Sequence, residues 1–182
     1  MPTDVFLRPT KEADLPAVTA IYEEAVRTGT ASYEIDPPDQ EEMTRRWREL
    51  VARNYPHLVA VSGDAVLGYA YAGPYRPRPA YRYMVEDSVY LLPEAQGRGV
   101  GRALLGELIG VCERLGFRQM VAVIGGGTEH NASVGLHLAL GFRRVGVIEA
   151  SGFKHGRWLD TVLMQRPLGA GRTTLPDEAP KP

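Results

Sequence analysis

A glycine-rich segment between an apolar run and a helical pattern constrains this chain more than any other feature. It spans residues 89–102 and reads VYLLPEAQGRGVGR. The apolar start predicts a strand, and the apolar spacing after Val100 predicts an amphipathic helix. Gly97, Gly99 and Gly101 allow backbone N–H groups to turn towards one point, and the helix start adds unpaired N–H groups. The sequence therefore predicts a strand–turn–helix unit that binds a phosphate or pyrophosphate.

The spacing of this segment argues against two common phosphate-binding motifs. A P-loop closes on Lys-Ser or Lys-Thr, whereas Gly101 is followed by Arg102 and Ala103. A dinucleotide fingerprint needs G-x-G-x-x-G and an acidic residue about 20 positions later. The chain has G-x-G-x-G instead, and residues 120–122 are Met, Val and Ala. A glycine-rich turn that binds no ligand stays open as the structural alternative.

Composition and charge fit one soluble globular domain. The chain has 182 residues, of which 44% are hydrophobic and 24% charged, and its net charge is −1. This balance gives no strong field towards nucleic acid or membrane. Cys112 is the only cysteine, which excludes an intrachain disulfide, and its helical setting predicts a core position. Because we find no signal-peptide pattern and no apolar run of about 18 residues, we expect a cytoplasmic protein.

Apolar periodicity predicts eleven elements in the order β-α-α-β-β-β-α-β-α-β-β. We expect Thr10 to cap the first helix, Gly29 to end it, and Gly63-Asp64 to turn a hairpin. Strands and helices in this order favour an α/β (α+β) fold with a mixed sheet covered by helices. Residues 168–182 are rich in Pro, Gly and Thr and predict a disordered tail, so the folded domain is expected at residues 1–167.

The pattern Gln96-x-x-Gly99-x-Gly101 and the order of elements resemble the GNAT superfamily of acetyl-CoA-dependent N-acetyltransferases. The resemblance covers nearly the whole predicted domain. It narrows to the phosphinothricin and methionine sulfone acetyltransferase group on five stretches, which are residues 28–33, 85–91, 121–125, 136–137 and 152–160. It implies a GNAT fold with splayed central parallel strands, acetyl-CoA as cosubstrate and a homodimer. No pair of His, Cys or acidic residues has the spacing of metal ligands, so we expect no metal. The implied acceptor is the α-amine of a small amino acid such as phosphinothricin, methionine sulfoximine or methionine sulfone.

Two residues are candidates for catalysis. Strand alternation places Glu86, Ser88 and Tyr90 on one face, beside the glycine segment. A carboxylate in a mostly apolar strand there is a candidate general base, because burial would raise its pKa. The resemblance also implies that role for Glu86; a salt-bridged strand glutamate is the alternative. His137 stands where this group has a histidine and many GNAT enzymes have a tyrosine acid. It could act as acid, base or water relay, or it could be a packed structural histidine.

The resemblance implies a cofactor-binding set around the glycine segment. Backbone groups beside the splayed strands would pair with the pantetheine arm, and amides of the glycine turn would hold the pyrophosphate. The set is Val89, Tyr90, Leu91, Gly97, Arg98, Gly99, Val100, Gly101, Arg102 and Asn131. Asn131 departs from the family pattern: counted from Ser133 and His137, the usual asparagine falls at His130.

The acceptor-binding candidates are Tyr33, Arg76, Arg78, Glu86, Asp87 and Ser88. Arginine offers a planar fork for a carboxylate or phosphinate, although solvated surface charge is an equal alternative. Tyr33 is expected to close the pocket. Two other functions stay open at this stage. One is a GNAT enzyme for a polyamine, an aminoglycoside or a protein N-terminus, and the other is a non-catalytic acyl-CoA-binding module.

Overall fold

The computed structural model describes residues 4–126, 131–176 and 180. The strands are β1 (Val5–Pro9), β2 (His57–Ser62), β3 (Ala65–Pro74), β4 (Met84–Leu91), β5 (Gln119–Gly125), β6 (Arg143–Lys154) and β7 (Arg157–Pro167). The helices are α1 (Leu15–Thr28), α2 (Gln40–Ala52), α3 (Val100–Arg114) and α4 (Asn131–Ala139). Single 3₁₀ turns lie at Glu12–Asp14, Pro79–Tyr81 and Pro93–Ala95. The predicted order of strands and helices is confirmed.

The seven strands form one mixed sheet in the order β1-β2-β3-β4-β5-β7-β6. Among the strands of the described residues, only β4 and β5 run parallel, and their pairing extends from Met84↔Gln119 to Asp87↔Ala122. On its other edge β4 stays paired with β3 as far as Gly68↔Leu91. From Ser88 onward β4 therefore has one paired edge and one unpaired edge. This confirms the predicted splaying of the central parallel strands.

Apolar side chains cover both faces of the sheet and separate its two layers of helices. On one face α3 buries Leu104, Leu105 and Leu108 against β2, β3 and β4, and Cys112 belongs to the same cluster, as predicted. On the other face α1 packs Val18, Ile21, Tyr22 and Val26 against β2 and β3. Because Val85 and Asp87 are more buried than their neighbours on β4, the strand alternates between the two layers.

The start of α1 differs from the prediction. The helix begins at Leu15, after the 3₁₀ turn, and Thr10 does not cap it. The Thr10 hydroxyl instead shares a 2.7 Å hydrogen bond with Nδ1 of His57. The Asp14 carboxylate accepts hydrogen bonds from the Lys11 N–H at 2.7 Å and from Nη1 and Nη2 of Arg8 at 2.6 and 2.8 Å. The hydroxyl that the local sequence predicted to cap α1 therefore makes its hydrogen bond with a residue 47 positions away.

The chain stays packed beyond the predicted domain boundary. Leu168 is fully buried, and its N–H donates to the Arg118 carbonyl at 3.0 Å. The Arg118 guanidinium donates to Thr174 Oγ1 at 3.1 Å and to the Leu175 carbonyl at 3.3 Å. These contacts continue past residue 167, where the amino-acid composition placed the end of the folded domain. Residues 177–179 and 181–182 of the predicted tail lie outside the described residues.

No helix within the described ranges has the length and apolar character that crossing a bilayer requires.

Candidate active site

The candidate site lies where β4 and β5 part. A cavity of about 50 Å³ opens there, between the unpaired edge of β4 and the end of β5. Its lining residues come from β4, β5, α4 and the segment after α1; they are Ala31, Asp87, Ser88, Val89, Tyr90, Ala122, Val123, Ile124, Ser133 and His137. Backbone N–H and C=O groups on a free strand edge can pair with an extended ligand.

The glycine segment forms a tight turn into α3, directly after β4. Gly97 has φ 70° and Gly99 has φ 82°, which is the left-handed conformation that glycine tolerates best. Gly99 is the N-cap of α3, and the first helical hydrogen bond runs from Ala103 N–H to the Gly99 carbonyl. The N–H groups at positions 100–102 consequently have no acceptor inside the helix. This geometry suits an anion such as pyrophosphate.

The other cofactor-binding candidates differ in how exposed their side chains are. Arg98 and Arg102 are exposed on the turn, whereas Val100 and Gly101 are buried beneath it. The Tyr90 ring points to the α1 layer and packs edge-on against Tyr22 with centroids 4.9 Å apart. Only its backbone therefore remains for the splayed edge.

The predicted asparagine contact lies at the border of the described chain. Asn131 is the first residue of α4, and His130, the alternative position, lies outside the described residues.

Glu86 is half-buried on β4, opposite Gly73 of β3 and Val121 of β5. Burial raises the pKa of its carboxyl group, the nearby Asp87 charge raises it further, and Arg76 opposes both. Among the described residues, the Glu86 carboxylate makes no hydrogen bond or ion pair within normal distance. A carboxylate of raised basicity can accept a proton from a bound amine.

His137 and Asp87 form a buried pair on the opposite side of β4. Nε2 of His137 lies 3.0 Å from Oδ2 of Asp87, and Nδ1 lies 2.7 Å from the Ser133 carbonyl oxygen. Burial lowers the pKa of His137, but the hydrogen bond and charge of Asp87 and the Ser133 carbonyl outweigh it, so the pKa is raised. Asp87 was predicted as an acceptor-binding residue. The structure places it at the cavity lining and against His137, because alternation along β4 turns its side chain away from that of Glu86.

Tyr33 fixes the segment between α1 and α2 against the sheet. Its hydroxyl donates to the Asp160 carbonyl at 2.9 Å and accepts from Thr161 Oγ1 at 2.9 Å. Its ring lies over Gly125 and Gly152, where an added Cβ would come within 2.7 Å of ring carbons. Tyr33 therefore forms a fixed wall near the end of β5, whereas the sequence suggested a closing residue.

Two arginines predicted to bind the acceptor lie in the exposed segment after β3. Arg76 stacks over the Tyr75 ring at 5.0 Å, and its charge reaches Glu86. Within the part of the chain that the structure describes, Arg78 has no comparable link to the site; its carbonyl accepts a hydrogen bond from the Tyr81 N–H in the 3₁₀ turn. Ser88 lines the cavity, opposite Tyr71 of β3.

Lys154 is a buried cation to which the sequence analysis assigned no role. It is 4% exposed, and its Nζ donates to the Ser32 carbonyl at 2.9 Å. Burial lowers its pKa. Ser32 in turn shares a 2.9 Å hydrogen bond with the Tyr22 hydroxyl, so Lys154 helps to fix the segment after α1. The sequence feature that could have identified Lys154 is its place in the stretch 152–160, which also contains aromatic residues.

The chain matches one protein family over most of its length. The profile of the Acetyltransferase (GNAT) family matches residues 18–142, which include the splayed edge, the glycine turn and His137. The chain belongs to this family. The resemblance proposed from the sequence is thereby confirmed at the family level. Within residues 4–126, 131–176 and 180, no group of three or more His, Cys, Asp or Glu side chains could hold a metal ion.

Individual members of the family show which enzymes the chain is similar to. Over 171 residues the chain is 54% identical to a phosphinothricin N-acetyltransferase of Alcaligenes faecalis, covering 94% of this chain and 86% of the relative. It is 42% identical to an L-methionine sulfoximine/L-methionine sulfone acetyltransferase of Pseudomonas aeruginosa over 163 residues, covering 88% and 93%. A crystal structure of a phosphinothricin acetyltransferase from Sinorhizobium meliloti with acetyl-CoA matches with TM-score 0.94 and 53% identity, covering 99% and 97%.

Proposed function

We propose that this protein transfers the acetyl group of acetyl-CoA to the α-amine of a small amino acid such as phosphinothricin, methionine sulfoximine or methionine sulfone. The observation that carries the proposal is the parting of β4 and β5 after Asp87↔Ala122, with the glycine turn at one end and Glu86 beside it. The names of the relatives support the same reaction.

The residues of the chain fit an acetyl-CoA-binding role. The backbone of Val89–Leu91 would hold the pantetheine arm, and the amides of Gly97–Arg102 would hold the pyrophosphate. Arg98 and Arg102 are exposed beside these amides and add positive charge. When bound, acetyl-CoA supplies an activated thioester.

Glu86 would accept the proton that the amine loses as it attacks. In the balanced reaction an N–C bond forms, the C–S bond breaks and the sulfur gains a proton. An α-amine is mostly protonated at neutral pH, so a carboxylate whose pKa is raised by burial suits this task. Arg76 lies within charge reach of Glu86 and would bind the carboxylate or the phosphinate of the acceptor.

A panel of amines tests the acceptor class. Purified protein and acetyl-CoA are mixed with a thiol reagent and with phosphinothricin, methionine sulfone, methionine sulfoximine, spermidine or a peptide. We expect thiol release with the first three compounds only. Release with spermidine or the peptide alone would favour a GNAT enzyme for another amine. No release with any amine, despite acetyl-CoA binding, would favour a non-catalytic binding module.

Replacing the proposed base tests its role. Glu86→Gln should lower kcat by roughly 100-fold or more, because general base catalysis typically contributes that much. Binding of acetyl-CoA should change little, since Glu86 is not placed among the residues that would hold it. Glu41→Gln is the matched control, since Glu41 lies exposed in the first turn of α2. Unchanged turnover in Glu86→Gln would remove Glu86 from the mechanism.

The proposal includes a homodimer in the cytoplasm. Support for an interface comes from β6 and β7, at the edge of the sheet, where Phe153 and Trp158 are 56% and 68% exposed with ring centroids 5.2 Å apart. Exposed aromatic pairs of this kind often mark protein–protein contacts. Sedimentation equilibrium should show a dimer for the wild type. For Trp158→Lys it should show a dimer with a higher dissociation constant. A monomeric wild type would contradict this part of the proposal.

A further inference from the structure

A second cavity lies on the α1 layer of the molecule, between α1, α2 and strands β2 and β3. Its volume is about 300 Å³, whereas the cavity where β4 and β5 part has about 50 Å³. Among the described residues, the two cavities share no lining side chain. Tyr71 of the larger cavity is the cross-strand partner of Ser88, which lines the smaller one. The larger cavity is therefore adjacent to the candidate active site but separate from it.

Two buried hydrogen-bond donors belong to residues that line this larger cavity. Tyr69 of β3 is 1% exposed, and its hydroxyl makes no hydrogen bond within the described ranges. The same is true of the buried Nε1 of Trp47 on α2. An indole N–H can only donate, and burial raises the pKa of Tyr69, so its hydroxyl keeps its proton at neutral pH. Because a buried donor without an acceptor is costly, these two groups favour a ligand that brings an acceptor oxygen.

One cation of the lining is left for a ligand. Arg53 follows α2, is exposed and lies over the Tyr55 ring at 5.1 Å, and it forms no ion pair with the residues that the structure describes. The other lining arginine, Arg46, is held by two carboxylates at 2.6 and 2.7 Å. Glu49, the carboxylate of the lining, pairs with Arg45 of the same helix. The mouth of the cavity therefore favours an anion beside Arg53.

The remaining wall of the cavity is apolar or aromatic. Leu15 and Val18 of α1 and Met43 and Leu50 of α2 contribute to it. The His57 ring is neutral at pH 7, because burial lowers its pKa to about 4. At about 30 Å³ per water molecule, the cavity holds the volume of about ten waters, so a molecule of about ten non-hydrogen atoms fits.

We infer that this cavity is a second ligand site, which binds a small carboxylic acid whose apolar body carries one further acceptor oxygen. The carboxylate pairs with Arg53 at the mouth, the body packs against the apolar wall, and the inner oxygen accepts from the buried donors of Tyr69 and Trp47. 4-Hydroxyphenylacetate has this form and size and is the probe. The inference rests on the ligand-free structure alone and does not depend on acetyl transfer.

Tryptophan NMR tests whether the cavity binds such an acid. The chain has two tryptophans, so protein labelled with ¹⁵N-tryptophan gives two indole N–H signals, from Trp47 and from Trp158 on β7. 4-Hydroxyphenylacetate should move the Trp47 signal with a Kd of about 1 mM or lower, an ordinary affinity for a ligand of this size, and leave the Trp158 signal in place. An unmoved Trp47 signal, a shift that does not saturate, or equal shifts of both signals would overturn the inference. The measurement uses no acetyl-CoA and no amino acid, so it holds or fails independently of the proposed function.

The carboxylate contact is tested with a neutral probe and a variant. 4-Hydroxyphenylacetamide lacks the charge and should bind about fivefold or more weakly than the acid. Arg53→Gln should weaken binding of the acid by about tenfold and remove its advantage over the amide. Arg48→Gln, at an exposed position of α2 outside the lining, is the matched control and should change neither affinity. An advantage of the acid that survives Arg53→Gln would overturn the assignment of the carboxylate.

The inner contact is tested in the same way. Phenylacetate lacks the inner oxygen and should bind about fivefold more weakly than 4-hydroxyphenylacetate. Tyr69→Phe keeps the ring and should reduce this difference, whereas Tyr81→Phe, outside the lining, should preserve it. Equal affinities of the two acids for the wild type, or an unchanged difference in Tyr69→Phe, would overturn the assignment of the inner oxygen.

Discussion

Acidification should destabilise this protein through His57, which lies on β2 and is not among the residues that line the cavity of the candidate active site. The ring is 7% exposed and lies parallel to the rings of Tyr69 and Tyr71, each with centroids 5.4 Å away. Its Nδ1 shares a hydrogen bond with Thr10 Oγ1 at 2.7 Å. Burial lowers the pKa of His57 to about 4, against a small opposing effect of Asp14.

The sign of the effect follows from the lowered pKa. The unfolded chain binds the proton near pH 6.5 and the native protein only near pH 4, so the stabilising effect is complete above 6.5. It is lost as the pH falls from 6.5 through about 4. A difference of this size corresponds to about 2 kcal/mol lost by pH 5 and about 3 kcal/mol lost below pH 4.

Urea unfolding at pH 7 and pH 5 measures this loss. In His57→Phe, whose ring can keep the stacking, the loss between the two pH values should be about 2 kcal/mol smaller than in the wild type. His155→Asn keeps the His57 ring and its Thr10 hydrogen bond and serves as the control, with a loss close to that of the wild type; asparagine tolerates the φ of 53° at this exposed position. Carboxylates such as Asp14 titrate in all three proteins and cancel from the difference. Equal losses in wild type and His57→Phe would refute the reasoning.

Two glycine positions give further predictions. Gly99→Ala places a side chain at φ 82°. It should lower the free energy of unfolding by about 1 kcal/mol and weaken acetyl-CoA binding, as measured by calorimetry. Gly106→Ala, where an added Cβ meets nothing within 4 Å, should change neither quantity. Gly152→Ala brings a Cβ within 2.7 Å of the Tyr33 ring and should lower kcat/KM for the amino acid in steady-state assays, whereas Gly146→Ala, which has open space, should not. Wild-type behaviour of Gly99→Ala or Gly152→Ala would contradict the corresponding prediction.

Features governed by short stretches of sequence were predictable. The turn from β4 into α3 depends on glycines at fixed positions, and the structure gives Gly97 and Gly99 the positive φ that such a turn needs. Strand alternation placed Glu86 and Asp87 on opposite faces of β4, which the burial pattern matches. The order of strands and helices followed from apolar periodicity in the same way.

Features that depend on distant partners were not predictable. Thr10 looked like a helix cap, but the fold pairs it with His57. Asp87 looked like an acceptor-binding residue, but α4 brings His137 against it. Lys154 received no role because Ser32, its partner, lies 122 positions earlier. In each case a polar group is buried by tertiary packing and takes the partner that packing supplies.

Identification of the reaction product tests the central claim most directly. The protein is incubated with phosphinothricin and acetyl-CoA that carries an isotopically labelled acetyl group, and the amino acid is then analysed by mass spectrometry and NMR. We expect one labelled acetyl group on the α-nitrogen, formed by the wild type and Glu41→Gln and strongly reduced with Glu86→Gln. An unmodified amino acid after incubation with folded protein that binds acetyl-CoA would contradict the claim for this acceptor.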